Sequence, residues 1–393
     1  MKILFISFYY PPDLSAGSFR ALALSECVEE YKNHSMDIVT TYPNRYADYS
    51  PPSKQKEAFK NIEITRIRVP KHASGMLGQI ISFVFFAFKL MLIIRNKQYD
   101  RIIVTSSRLA SATLGAVVSY VKDAVLIIDL RDLFTETIMD VLGADSAISK
   151  RLGSFLRLLE KWTFRRAKLI NVVSPGFTDY VKKINPSAKV TEYTNGIDPI
   201  FLDCAKMQGG SVTGKKIHIV YAGNVGASQD IHQLVPKFAK RFTDRIVFHV
   251  YGAGGKFDML KLRLSELGID NVKLHGSINR EALPEIYSSA DILFLTLSNK
   301  KAFEKVIPSK LFEYAATNKP ILAGLIGYSR EFAHNEIEGT FIFDPTDDAD
   351  LDRRFNEICS NICDFDRSKF VANYQRGKIM SEFVHAIFTL TNN

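Results

Sequence analysis

The chain has 393 residues, 46% of them hydrophobic and 24% charged, with a formal net charge of +9. It is too long for one core and too ordinary in composition for a disordered or fibrous protein, so two globular domains of about 150–200 residues each are expected. The basic excess suits anionic lipid or a phosphorylated substrate; with few basic clusters interleaved with aromatics, no nucleic-acid platform is expected.

Met1-Lys2 leads straight into an apolar run, with no charged-then-apolar leader pattern, which predicts a cytoplasmic protein. Strand-like runs lie at 2–7, 36–41, 62–69, 101–105, 124–130, 169–173 and 189–193. A second series lies at 217–222, 246–251, 272–275, 292–296, 320–323 and 340–343. The stretches between most of them are long enough for crossover helices. That rhythm predicts an α/β fold of parallel, doubly wound sheets covered on both faces. Turn residues at Asn195-Gly196-Ile197-Asp198-Pro199 and the polar 206–211 stretch mark a break. The expected domains are therefore 1–200 and 201–370, with a terminal helix in 371–393 packing back toward the first. Ligands should gather at the carboxyl ends of the strands, with the two domains facing across a cleft.

The segment from Gln79 to Arg95 is almost wholly apolar. It is short against the roughly 20 residues that a spanning helix needs, and Lys89 interrupts it. It reads as a core helix or as an interfacial helix resting on lipid headgroups, the latter from Phe83 to Ile94. Cys27, Cys204, Cys359 and Cys363 complete no zinc pattern and read as small buried hydrophobes, with Cys359 and Cys363 at helical spacing.

Several loops are candidates for chemistry. Gly209 to Lys215 has the glycine spacing of a P-loop, but Lys216 stands where Ser or Thr is needed, and the segment precedes its strand. Gly252-Ala253-Gly254 comes after a strand, yet Phe257 holds the place of the third glycine of a dinucleotide fingerprint. Gly223-Asn224-Val225-Gly226 comes after the first strand of the second half, and its glycines let backbone N–H groups approach a diphosphate, unless it is an ordinary tight turn. In the first half, the Pro11-Pro12 loop ending at Gly17 is a candidate acceptor wall or a plain surface connection. Asp129, Arg131, Asp132 and Glu136 cluster where a strand ends, able to hold sugar hydroxyls or to form an Asp129–Arg131 structural pair with a helix cap. The most informative segment is Pro308-Ser309-Lys310-Leu311-Phe312-Glu313, between two apolar strands. Pro308 opens a short helix, Pro320 stops it before the second strand, and Glu313 sits in the first turns, which suits a ribose beside a phosphate.

Taken in order, these pieces resemble the family-4 retaining glycosyltransferases of the GT-B fold. The resemblance rests on the Pro-Pro and Gly17 loop, Ser174-Pro175-Gly176, Asn195-Gly196-Ile197-Asp198, Tyr221-Ala222-Gly223-Asn224, Gly252-Ala253-Gly254, His275-Gly276, Ala290-Asp291 and the 308–320 segment. Asp-Leu-Arg-Asp-Leu-Phe and Pro-Ser-Lys-Leu-Phe-Glu-Tyr resemble the bacterial branch that builds capsule, O-antigen and similar polysaccharides. The resemblance implies transfer from a nucleotide-diphosphate sugar, UDP-linked, to a saccharide or lipid-diphosphate-linked acceptor, without a cofactor or metal. Glu313 matches the second glutamate of the family's Glu-x7-Glu motif and implies ribose binding. Lys305 stands where the first glutamate is expected, and the uncharged Asn224 and Gln229 stand where many relatives place Arg and Lys, which leaves the diphosphate's cation to Lys305 or Lys310. Arg131 occupies the place of a catalytic His, with Asp132 as its acidic neighbour. Implied roles are catalysis for Arg131, Asp132 and Lys305. The donor is assigned to Gly223, Asn224, Gly226, Gly252, Gly254 and Ser309 to Glu313, and the acceptor to Gly17, Asp129 and Glu136. A nucleotide-sugar 2-epimerase and a non-catalytic nucleotide- or sugar-binding scaffold subunit are the alternatives. With a lipid-linked acceptor, the protein would sit peripherally on the inner face of the plasma membrane.

Overall fold

The computed structural model describes residues 1–44, 51–70, 76–106, 108–133, 135, 147–207, 216–360 and 362–391. The chain divides into two compact units, Met1–Asn195 with Arg376–Asn393, and Gly196–Gln375.

The first unit is built on β1 (Lys2–Ile6), β2 (Ser35–Thr41), β3 (Lys56–Phe59), β4 (Ile62–Ile67), β5 (Arg101–Ser106), β6 (Val125–Leu130), β7 (Ala167–Val172) and β8 (Lys189–Thr191). They form one sheet in the order β3-β4-β2-β1-β5-β6-β7-β8. All neighbours are parallel except β3 with β4, an antiparallel edge hairpin that the apolar pattern does not announce. Its burial explains this: Lys56, Ala58 and Phe59 are exposed, so β3 carries no hydrophobic alternation. The helices are α1 (Ala16–Glu29), α2 (Met76–Ile94), α3 (Leu109–Lys122), α4 (Ala147–Arg166) and α5 (Thr178–Ile184). Ser15 caps α1 by accepting from the Ser18 N–H. The returning helix α13 (Arg376–Phe388) packs on α1.

α2 is neither wholly a core helix nor wholly a surface one. Phe86, Leu90 and Ile94 are buried, whereas Ile81, Val84 and Phe88 are more than half exposed. Among the described residues no helix is long and apolar enough to cross a membrane.

The second unit contains β9 (Ile217–Ala222), β10 (Ile246–Tyr251), β11 (Val272–Gly276), β12 (Ile292–Thr296), β13 (Ile321–Gly324) and β14 (Thr340–Phe343). All pairings are parallel, in the order β11-β10-β9-β12-β13-β14. Its helices are α6 (Ile231–Arg241), α7 (Phe257–Glu266), α8 (Leu283–Ser288), α9 (Ser309–Ala315), α10 (Gly327–Glu336), α11 (Asp348–Ser360) and α12 (Ser368–Asn373). Both sheet faces are covered: Val220 and Ala222 of β9 enter one core cluster, Ile219 and Tyr221 the other. That is why these strands read as continuous apolar runs.

Two smaller expectations are corrected. Cys27 and Cys204 are buried, but Cys363 is exposed. It also lies beyond the end of α11, so it does not share a helix face with Cys359. Pro308 is the cap residue of α9, with an extended ψ of 135°, and the helix proper opens at Ser309.

Candidate functional site

In both units strand order reverses about the first strand, since β1 lies between β2 and β5, and β9 between β10 and β12. The carboxyl ends of those strands are where open α/β sheets collect ligands.

In the second unit the chain leaves β9 through Gly223, whose φ is +154°. A side chain there would land on the ammonium end of Lys310, so the missing Cβ is what lets Lys310 lie against the loop. Gly252 and Gly254, with φ of +127° and +157°, press their backbones against Gly223 and Val225. The Val225 N–H donates to the Ala253 carbonyl at 3.0 Å, and the Gly223 N–H to the Tyr251 carbonyl at 2.7 Å. The two glycine loops are thus one backbone platform. The Asn224 side chain lies against this platform, beside Gly226 and Gly254, and its Nδ2 donates to the Gln229 Oε1 at 3.0 Å. The two neutral residues standing where cations were expected therefore satisfy one another.

The charge comes from α9. Lys310 is half-buried, with its ammonium 5.9 Å from the centre of the Tyr221 ring. Burial lowers its pKa, and the Glu313 carboxylate only partly offsets this. Glu313, one turn on, is half-buried, and the Tyr287 hydroxyl donates to its Oε2 at 3.0 Å. Burial, the Glu313 charge and this hydrogen bond push the Tyr287 pKa well up, so Tyr287 remains a donor. Arg280 lies near enough for Glu313 to offset part of the burial that lowers its own pKa, and it is ion-paired with Asp198. Tyr287 and Arg280 were missed at the sequence level, since neither stands in a recognisable motif.

Other residues fall differently. The Leu311 and Phe312 side chains are fully buried in the core, Phe312 among Phe332, Phe370 and Tyr374. Only their backbones are left to meet a ligand. Lys305 is half-buried in the loop before α9, and Ser309 is half-buried at the helix start. The loop is held by the Tyr328 N–H, which donates to the Glu304 carbonyl at 2.6 Å.

In the first unit, Asp129 at the end of β6 turns inward. It takes a bidentate pair of bonds from Arg20, both at 2.8 Å, with further bonds from Asn171 at 2.8 Å and Thr105 at 3.2 Å. Burial would raise its pKa, but the Arg20 charge and the hydrogen bonds outweigh it and hold the carboxyl low. Asp129 is thus a buried structural anion paired with Arg20, not with Arg131, and its oxygens are spent inside the unit. Arg20 also donates to the Tyr193 and Thr194 carbonyls, tying α1 to the chain after β8. No local motif marks Arg20, because its partner is 109 residues away.

Arg131 lies against Gly17, where any Cβ would collide with the guanidinium. Burial lowers its pKa to about 10, Asp129 opposing the shift and Arg20 and Arg376 adding to it. Its Nε is buried and has no hydrogen-bond partner among the described residues. Gly17, Arg131, Arg108, Ser7 and Thr105 line one small cleft at the strand ends. Asp132 accepts from the Leu133 N–H at 2.9 Å. Glu136 lies outside the described residues.

Residues 206–375 match the model of the family Glycosyl transferases group 1. WcaI of Escherichia coli (strain K12), provisionally named a colanic acid biosynthesis glycosyl transferase, is 22% identical over 79% of this chain and 80% of its own length. Sucrose-phosphate synthase from Thermosynechococcus elongatus superposes with a TM-score of 0.71 at 15% identity, covering 98% of this chain and 94% of that one. HepE of Anabaena, solved in complex with UDP-glucose, superposes with a TM-score of 0.69 at 15% identity, over 99% and 100% of the two chains. The solved structures show the fold, which is GT-B. The family match and the WcaI likeness support a glycosyltransferase.

Proposed function

We propose that this protein is a retaining glycosyltransferase that uses a UDP-sugar and a lipid-diphosphate-linked saccharide acceptor in bacterial surface-polysaccharide synthesis. The observation that carries the reading is the placement of Lys310 against the Gly223 loop, with Glu313 one helical turn on. A nucleoside diphosphate needs a close-approach backbone and a cation for its phosphates, and a carboxylate for its ribose hydroxyls. All three stand together inside the segment that matches the family. HepE, of the same fold, is solved with UDP and with UDP-glucose, which supports the choice of nucleotide.

In this reading Lys310 faces the diphosphate, and its partly desolvated ammonium strengthens any anion contact. Negative charge grows on the leaving phosphate as the glycosidic bond breaks, so a fixed cation and oriented backbone donors stabilise the transition state more than the ground state. Tyr287 holds the Glu313 carboxylate in place for the ribose. Arg131, with Asp132 beside it, serves the acceptor side in the first unit. Contact of α2 with the membrane surface, from Phe83 to Ile94, would bring the protein to a lipid-linked acceptor.

Thermal shift with UDP, GDP, ADP and UMP tests the pocket. Stabilisation by UDP, lost in both Glu313→Ala and Lys310→Met, is the expected result. No shift with any nucleotide would remove the transferase reading in favour of a scaffold subunit. Release of UDP from UDP-sugars in the presence of polyprenyl-diphosphate saccharides then tests turnover.

A further inference from the structure

The first unit carries an exposed apolar surface much broader than α2. In α2, Ile81, Val84 and Phe88 are exposed by 60%, 60% and 61%, on an arc of about 60° at about 100° per residue. α3 lies beside α2 and exposes Tyr120 and Val121. α4 lies beside α3 and exposes Phe155 and Leu158 by 63% and 71%, together with Trp162 by 43%. Three adjacent helices thus turn large apolar side chains outward, where a soluble monomer ordinarily shows only scattered ones.

The charge on these helices is of one sign. α2 and α3 contain no Asp or Glu, and the single acid of α4, Glu160, is fully buried. Lys89, Arg151, Arg157, Lys161 and Arg165 are all exposed among the apolar residues. Beside α2 runs a groove of about 790 Å³, where Lys56, Arg66, Arg68, Lys89 and Lys97 outnumber Glu57 and Glu63 among the lining residues.

We propose that α2, α3 and α4 together form a docking platform for the surface of an anionic lipid bilayer. The apolar side chains enter the headgroup–acyl boundary, and the lysines and arginines meet lipid phosphates. A second copy of the chain is a poorer occupant, because two such faces would bring like charges together in an apolar contact. An anionic bilayer satisfies both the apolar area and the charge. The position of Trp162 fits an interface, where an indole keeps its ring in apolar surroundings and its N–H near water. This proposal stands independently of the sugar-transfer reading.

Trp162 is the only tryptophan in the chain, so its fluorescence reports on α4 alone. The full-length protein is mixed with vesicles of phosphatidylcholine and of phosphatidylcholine with phosphatidylglycerol, and binding is also read by flotation. The expected result is flotation with the anionic vesicles only, a blue shift of Trp162 emission, and weakening by salt. Phe155→Ser/Leu158→Ser should lower vesicle affinity about tenfold or more, by removing apolar area that enters the lipid. Flotation with unchanged Trp162 emission, and unaffected by that double substitution, would show that α2 binds alone and overturn the platform. No flotation, with a dimer in light scattering that the substitutions abolish, would assign the face to a second copy and also overturn it. Because UDP-induced thermal shift is read separately, failure here leaves the nucleotide pocket untouched.

Discussion

The Arg20–Asp129 pair offers a quantitative test of how the first unit is held. Both side chains are 1% exposed and are joined by two bonds of 2.8 Å. Arg20→Met leaves the buried Asp129 carboxylate with hydrogen bonds from Asn171 and Thr105 and the more distant charge of Arg131, and takes donors from the Tyr193 and Thr194 carbonyls. Removing one partner of a buried ion pair costs about 3–5 kcal/mol, since the desolvation of the other is no longer compensated. For a unit of this size each kcal/mol lowers the midpoint by about 2–4 °C, so a fall of about 6–20 °C is expected. The assay is urea and thermal unfolding monitored by Trp162 fluorescence, which reports the first unit specifically because the only tryptophan lies there. Arg20→Met/Asp129→Leu removes the stranded charge as well, and should be more stable than the sum of the single losses predicts, by about 2 kcal/mol or more. Strict additivity, or a loss under about 1 kcal/mol for Arg20→Met, would refute the view that this pair is a compensated buried charge.

Gly223→Ala should weaken UDP binding about tenfold or more, because its Cβ displaces Lys310 from the loop, at a folding cost of about 1 kcal/mol for the unfavourable φ. Unchanged UDP affinity by calorimetry would separate Lys310 from the site. A pH effect is expected in the second unit, where the His249 ring nitrogens lie 3.0 Å from His218 and 3.0 Å from His275. Burial, with the neighbouring His218, His275 and Lys273, lowers its pKa to about 4. The unfolded chain binds the proton first as pH falls below about 6.5, so stability rises with pH between about 4 and 6.5 and is lost on acidification through that window. Partial exposure limits the effect to about 1–2 kcal/mol. Circular dichroism of denaturant unfolding at both ends of the window should show a flatter dependence in His249→Gln; an identical slope would exclude His249 as its source.

Periodicity alone located thirteen of the strands, β1, β2 and β4 to β14, most plainly those such as β1 and β12 that are buried along nearly their whole length and so are apolar throughout. It missed β3, whose side chains are largely exposed and which is held by backbone pairing to β4. The glycine loops after β9 and β10 and the position of Glu313 on a short helix were also legible, since positive φ and helix starts demand particular residues. Direction and partnership lay beyond the reach of the sequence by itself. Leu311 and Phe312 sit in the same motif as Lys310 and Glu313, yet helical periodicity sends the first two into the core. Asp129 reads as a sugar ligand or as the structural partner of Arg131 until Arg20, 109 positions away in the chain, is seen to consume it. Asn224 and Gln229 are uncharged, which leaves a cation to Lys305 or Lys310, and only the fold shows Lys310, 86 positions further along the chain than Asn224, lying against the loop because Gly223 leaves it room. Backbone chemistry is encoded locally, residue by residue; side-chain partners are chosen by packing across elements that only the folded chain brings together.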